Sequence, residues 1–413
     1  MRMRRLGWML VMAGLAGTGP AARAADYFAD PMQGRAENPG TASAPWRTLA
    51  EVVSSGQIQQ LKGGDTLWLR DGFHGEVTLS GNFPETVTVC AAEGARPGVS
   101  RLNVTGSRWH VRGLTVSPSL GAGETPKGRA TLVVVGESGP AEDVLIENCF
   151  VYSVLDAGRW TARQWMEAPS GMLMGRNGRR LTFRNNYILN TRFGLTMSSF
   201  DSQAEGNIIE NFSADGMRMT RDGETAEHNI IRNIYVSAED GDQNHDDGIQ
   251  GFLFNVGHGL IRRFTLRENI IVMREDESQP FKASLQGIGM FDGPLEEFVV
   301  EGNVICTQHW HGISLFDATN SVIRDNVVFN KWGGRMNPWI QLGSKNRGGN
   351  RGNIVSNNYA HSFRLGEETT VQAERNRPVT RAVWERRQAE LLKKIEEKYG
   401  AVHPVARRPR LRK

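Results

Sequence analysis

Asp215, Asp247, Gln286 and His311 each stand directly before a glycine and an aliphatic residue or Met, in DGMR, DGIQ, QGIG and HGIS. His245 and Asp246 lead into Asp247, and Arg218 and Gln250 lie three positions beyond the two aspartates. Clustered carboxylates repel unless a cation, a shared proton or an arginine lies between them, so such a set points to function. Two reactions use it. β-Elimination in a uronic-acid polymer must neutralise the sugar carboxylate, by Arg218 or by a Ca²⁺ held by Asp215, Asp246 and Asp247. It must also remove the C5 proton, for which Lys282 or His245 is the candidate base. Hydrolysis instead needs one carboxylic acid to protonate the leaving oxygen and one carboxylate to activate water. Asp215, Asp246 and Asp247 can share those roles, with His311 alongside. Asp240, Asp242, Asn244 and Asp246 also alternate as oxygen ligands do in calcium loops, although His245 and Gly251 replace the Gly and Glu of an EF-hand.

These residues converge only if the chain repeats. The phrase also occurs as SGML from Ser170 and FGLT from Phe193, and each copy is followed by Asn and two mostly apolar residues. The second signature begins at Asn186, Asn207, Asn229, Asn269, Asn303 and Asn326. Such self-similarity marks a solenoid whose turns bury their apolar faces against one another. The pre-glycine residues then form a column with a spacing of about 4.8 Å. Arg218, Gln250, Gly289 and Ser314 form a second line beside it. The asparagines suit a left-handed start to each strand and a stack at a turn, so they are assigned no catalytic role. From an Asn to the next column residue the chain takes 7 or 8 residues in the tight turns, but 22, 18 and 17 before Ser170, Asp247 and Gln286. Insertions confined to one corner build a binding face. The first carries Arg159, Trp160, Arg163 and Trp165, which can stack on or grip a uronate chain. Gln250 and Gln286 complete the expected substrate contacts.

Short segments rich in Val, Ile and Phe between Gly and Asn indicate strands. The expected fold class is all-β, a right-handed parallel β-helix spanning 25–372. The N-terminal stretch DYFADPMQGRAENPGTASAPWRTLAEVV from Asp26 and GGDTLWLRDGFHGEVTLSG from Gly63 resembles the entry to pectate lyase-like β-helix proteins. That resemblance implies a short helix, about 46–61, capping the open apolar end. SADG from Ser213, HDDG from His245 and HGISL from His311 further resemble three motifs of the polygalacturonase family in order. This implies Asp215, Asp246, Asp247 and His311 as counterparts. Ser213 replaces that family's Asn, and an extra turn headed by Gln286 moves His311 about 5 Å further off. The match therefore reads as shared coil architecture more than shared mechanism.

Arg2, Arg4 and Arg5 precede an apolar stretch from Leu6, and Ala22-Arg23-Ala24 fits a cleavage site. Residues 1–24 thus read as a secretory signal, and the protein as periplasmic or secreted. No later stretch is long enough for a membrane span. Cys90, Cys149 and Cys306 are an odd number, which fits buried free thiols. Residues 374–413 hold 13 Lys or Arg against 5 Glu, leaving 25–373 at −8 beneath the overall +4. An acidic body with a basic tail argues against nucleic-acid binding. Residues 373–413 read as a separate amphipathic helix and tail, able to cap the far end of the coil. His110, His258 and His361 read as structural. The expectation is a monomeric lyase acting on an acidic polysaccharide, with an inverting hydrolase or a non-catalytic carbohydrate-binding protein as alternatives.

Overall fold

The computed structural model describes residues 24–121, 130–235, 246–253, 259–345, 349–366 and 371–400. Of the expected export signal, residues 1–24, the first 23 lie outside them. The described strands form three long parallel sheets of 15, 12 and 11 strands, called here the first, second and third, and a small sheet of three. In each long sheet the strand order follows the chain almost throughout, so every circuit adds one rung to all three. This is a right-handed parallel β-helix, as the repeats imply. No helix among the described residues is long and apolar enough to cross a membrane.

The two sequence signatures occupy different sheets. Asn-headed strands such as Ile208–Phe212 and Ile230–Ile234 belong to the second, and glycine-phrase strands such as Asp247–Gly251 and Gln286–Met290 to the third. Leu195, Met217, Ile249, Ile288 and Ile313 pair in register and point into a dry core. The glycines are required by close approach. A Cβ on Gly171, Gly248 or Gly287 would lie 2.6–2.8 Å from the Cγ2 of Ile188, Ile271 or Ile305, and Gly194, Gly216 and Gly312 are tighter still. The β-branched residue of one signature therefore dictates the missing side chain of the other.

The asparagines form one buried ladder. Nδ2 of Asn186, Asn207, Asn229, Asn269, Asn303 and Asn326 each donates to Oδ1 of the next rung at 2.9–3.0 Å, and the ladder continues through Asn358 to Asn376. The left-handed backbone expected at these residues falls one position earlier. Asn185, Gly206, His228, Glu268, Gly302 and Asp325 have φ of 49–67°. The bend before the ladder frees each Asn to be extended and to point inward.

Helix α1, Leu49–Ser54, closes the N-terminal end as expected, with Thr48 capping it and Leu49 and Val52 buried. The coil runs to Arg377–Pro378, past the boundary at 372, because Asn376 still supplies a ladder rung. Helix α2, Ala162–Met166, lies in the first insertion. Helix α3, Arg381–Tyr399, does not cap the far end. It lies against the outer face of the second sheet, burying Trp384, Leu391 and Ile395 among residues that include Ile230, Ile270, Val304 and Phe329. That face is apolar outside as well as inside, so it needs a cover. All three cysteines are buried free thiols, and burial pushes Cys149 and Cys306 up to about 12.

Candidate active site

The register of the third sheet brings Asp215, Asp247 and Gln286 onto adjacent rungs, with His311 on the next. Asp215 is tied on both sides. Arg218 Nε–H donates to its Oδ2 at 2.5 Å, and the Asp247 backbone N–H donates to its Oδ1 at 3.0 Å. The Arg218 guanidinium lies flat on Phe193, 3.6 Å from the ring centre, so the ion pair is held by the preceding column residue.

Asp247 is the anomaly. Its side chain is fully buried, and neither carboxyl oxygen has a hydrogen-bond partner among the described residues. Burial first, then the charges of Asp215 and Asp246, push its acid strength well out of the usual carboxylate range toward the protonated form; the Arg218 charge and the Gln250 amide, which approaches without completing a hydrogen bond, pull the other way. The carboxyl leans over Gly289, where a Cβ would collide with Oδ1. Gly289 pairs with Ser314, whose hydroxyl is 2.8 Å from His311 Nδ1. The extra turn headed by Gln286 is thus bridged. Having leaned one rung along, the Asp247 carboxyl stands about 4.8 Å from the rung of the His311–Ser314 pair. His311 is further fixed edge-on to Phe291 and Trp339, at 4.9 and 5.2 Å between ring centres. Gln286 is buried with its Oε1 unpartnered, and the Asp246 carbonyl accepts its backbone N–H.

Other expected residues fall elsewhere. Lys282 lines a separate cavity of about 410 Å³ with Arg274, Ser284, Gln308 and Arg335, and no column residue lines it. His245, with Asp240, Asp242 and Asn244 of the second insertion, lies outside the described residues, as does His258. Trp165 is not a sugar platform. It is buried, stacked on Tyr235 at 4.6 Å and meeting Trp160 edge-on at 4.9 Å. The reason is local: Thr161 and Gln164 form a capping box that starts α2, and the Ser213 hydroxyl donates to the Trp165 carbonyl, folding the insertion onto the coil. Arg159 is exposed, and Arg163 pairs with Glu167 in solvent. His110 bonds Glu147 at 2.8 Å, and burial lowers His361, in line with structural roles.

The sequence reading missed a cleft beside Arg218. A cavity of about 260 Å³ on the outer face of the third sheet is lined by Arg176, Thr196, Arg218, Arg221, Phe252 and others. Arg176 faces Glu137 at 3.5 Å, and Arg221 has a buried Nε with no partner among the described residues. Thr196 and Arg218 belong to the outward line that Gln250 continues, so that line was the available signal. Asp215 already accepts from Arg218 and from a backbone N–H, and among the described residues no three His, Cys, Asp or Glu converge as metal ligands.

No protein-family model and no curated protein matches the chain by sequence. Solved structures do match by shape. A GH136 lacto-N-biosidase from Eubacterium ramulus matches at 13% identity and TM-score 0.51, over 86% of this chain and 68% of that one. A pectate lyase, Pel9A, matches at 14% identity and TM-score 0.47, over 87% and 80%. An alginate lyase from Paenibacillus sp. str. FPU-7 matches at 13% identity and TM-score 0.43, over 80% and 97%. At such identities the likeness is one of architecture, the parallel β-helix fold.

Proposed function

We propose that the protein is a carbohydrate-processing enzyme that cleaves glycosidic bonds by hydrolysis, with Asp247 as general acid. The observation carrying this is the buried, unpartnered Asp247 carboxyl, held toward its protonated form beside an arginine-paired Asp215. Environments that push two neighbouring carboxyls apart separate an acid from a base. Asp247 donates its proton to the glycosidic oxygen as the bond to the anomeric carbon breaks. Water attacks that carbon and passes its proton to Asp246, the further carboxylate whose charge acts on Asp247 beside the arginine-paired Asp215. The His311–Ser314 pair offers polar contacts one rung on. The lacto-N-biosidase of like fold supports a saccharide substrate, and the reading of residues 1–24 as an export signal suits a polymeric one.

A second reading, β-elimination, is supported by Arg176, Arg218 and Arg221, which suit neutralising a uronate carboxylate. Of its two expected bases, Lys282 lines a different cavity and His245 lies outside the described residues; hydrolysis is preferred for the Asp247 carboxyl held toward its protonated form. Incubation with polygalacturonate, alginate and xylan, each with and without chelator, separates the two. New reducing ends without ultraviolet absorbance support hydrolysis, and absorbance from an unsaturated uronate supports elimination. Loss of activity on chelation would restore calcium to the site. No turnover and no binding on any polymer would sink the enzymatic reading.

A further inference from the structure

Resting on the reading of the site as saccharide-processing, we propose that Trp310 is a sugar-stacking platform at the far end of the Asp215–His311 column from the arginine cleft. Trp310 immediately precedes His311, and 46% of its surface is exposed; no other tryptophan among the described residues is exposed to that degree. The exposed indole offers a flat apolar ring face of the kind on which a sugar ring can pack. It is also rigid. Its ring stacks on Trp339 at 5.9 Å and 15°, and its carbonyl accepts the N–H groups of Gly312 at 3.1 Å and Trp339 at 2.8 Å. Trp339 is itself gripped by the Arg364 guanidinium, 3.6 Å from its ring centre. The platform is therefore built before any ligand arrives, which spares the ordering entropy of binding.

Independent polar groups follow the same path. Both oxygens of Asp247, Oε1 of Gln286 and Oε1 of Gln341 are buried without partners among the described residues, and Gln341 pairs with Ser314 on the rung beyond His311. The two glutamine oxygens suit the hydroxyl donors of a saccharide, and the protonated Asp247 suits its glycosidic oxygen. From the rung before Arg176 to that of His311 is five steps, roughly 24 Å. This face takes an oligosaccharide lying along the coil axis. Its charged groups meet Arg176 and Arg221, its scissile bond meets Asp247, and the C–H face of a sugar ring covers Trp310.

Binding can be read without turnover in the Asp247→Asn protein, by affinity electrophoresis in polygalacturonate, alginate and xylan. Adding Trp310→Ala should weaken retention by the best polymer about tenfold, the scale of one good aromatic contact. Adding Trp310→Phe should restore much of it, and neither change should move the melting temperature appreciably, since the ring is on the surface. Unchanged retention with Trp310→Ala overturns the proposal, as does an equal loss in the Phe and Ala variants. If Asp247→Asn alone binds none of the three polymers, the saccharide reading falls and this proposal with it.

Discussion

Asp247 and Gly289 form one unit at the residue scale. The carboxyl is dry because it fills the space that a side chain at 289 would occupy, and this position bridges the turn between the acid cluster and His311. A carboxyl raised in the folded state makes the protein more stable at acid pH. That contribution is fully present below the ordinary Asp pKa and is lost as pH rises through the raised one. Asp247→Asn removes the penalty of a buried charge while keeping shape, so its melting temperature should exceed the wild type's at neutral pH. The difference should shrink as pH falls toward the ordinary Asp value of 3.8. Turnover should fall by 10³-fold or more, on the order of losing general acid catalysis. A thermal melt series across pH, beside a rate assay, tests both. A neutral-pH melt below that of wild type would mean that the carboxylate is stabilising and the acid assignment is wrong.

At the scale of elements, the Asn ladder holds the corner that feeds the third sheet. Asn229 accepts from the Asn207 backbone N–H and Nδ2, and donates to the Ala204 carbonyl and to Asn269 Oδ1, so all four of its bonding positions are used. Asn229→Ala strands several buried groups at once and should lower stability by about 2–5 kcal/mol. Chemical denaturation with unchanged m-value measures this. A loss under ~0.5 kcal/mol, the size of an ordinary surface change, would show that the ladder follows the coil rather than holding it. The ladder and the glycine column are one constraint seen twice, since Ile231 follows Asn229 by two residues and forbids a side chain at Gly216. That spacing was readable in the chain. The shift of the left-handed bend to His228 was not, because Asn, Gly, His, Glu and Asp share that position along the coil and leave no single residue type to read.

For the whole molecule, helix α3 works as a strap along the second sheet rather than as an end cap. Its apolar contacts dominate. Lys394 pairs with Glu268 at 2.6 Å and Lys398 with Glu227 at 3.4 Å, but both lysines are about half exposed, and such pairs contribute at most about 1 kcal/mol each. Burying Trp384, Leu391 and Ile395 contributes about 5 kcal/mol or more together. Deleting residues 380–413 should therefore expose an apolar stripe, bind a hydrophobic dye and drive self-association, seen by light scattering. High salt on the intact protein should leave it dispersed and barely change its melt. A truncated protein that stays monomeric and dye-silent would show that another segment covers the face.

The sequence by itself determined the coil. Repetition is local, and one Gly-aliphatic phrase with one Asn-headed phrase per circuit specifies rungs, register and the corner from which insertions leave. It therefore also placed Asp215, Asp247, Gln286 and His311 on consecutive rungs. Only the tertiary structure decided what surrounds those residues. Whether Trp165 faces water or Tyr235, whether Lys282 reaches the acids, and whether α3 caps or straps depend on how non-repeating loops fold back, and no period encodes that. The same holds for Asp247. Its chemistry comes from dryness and neighbouring charge, which arise when a rung without a side chain is stacked against it.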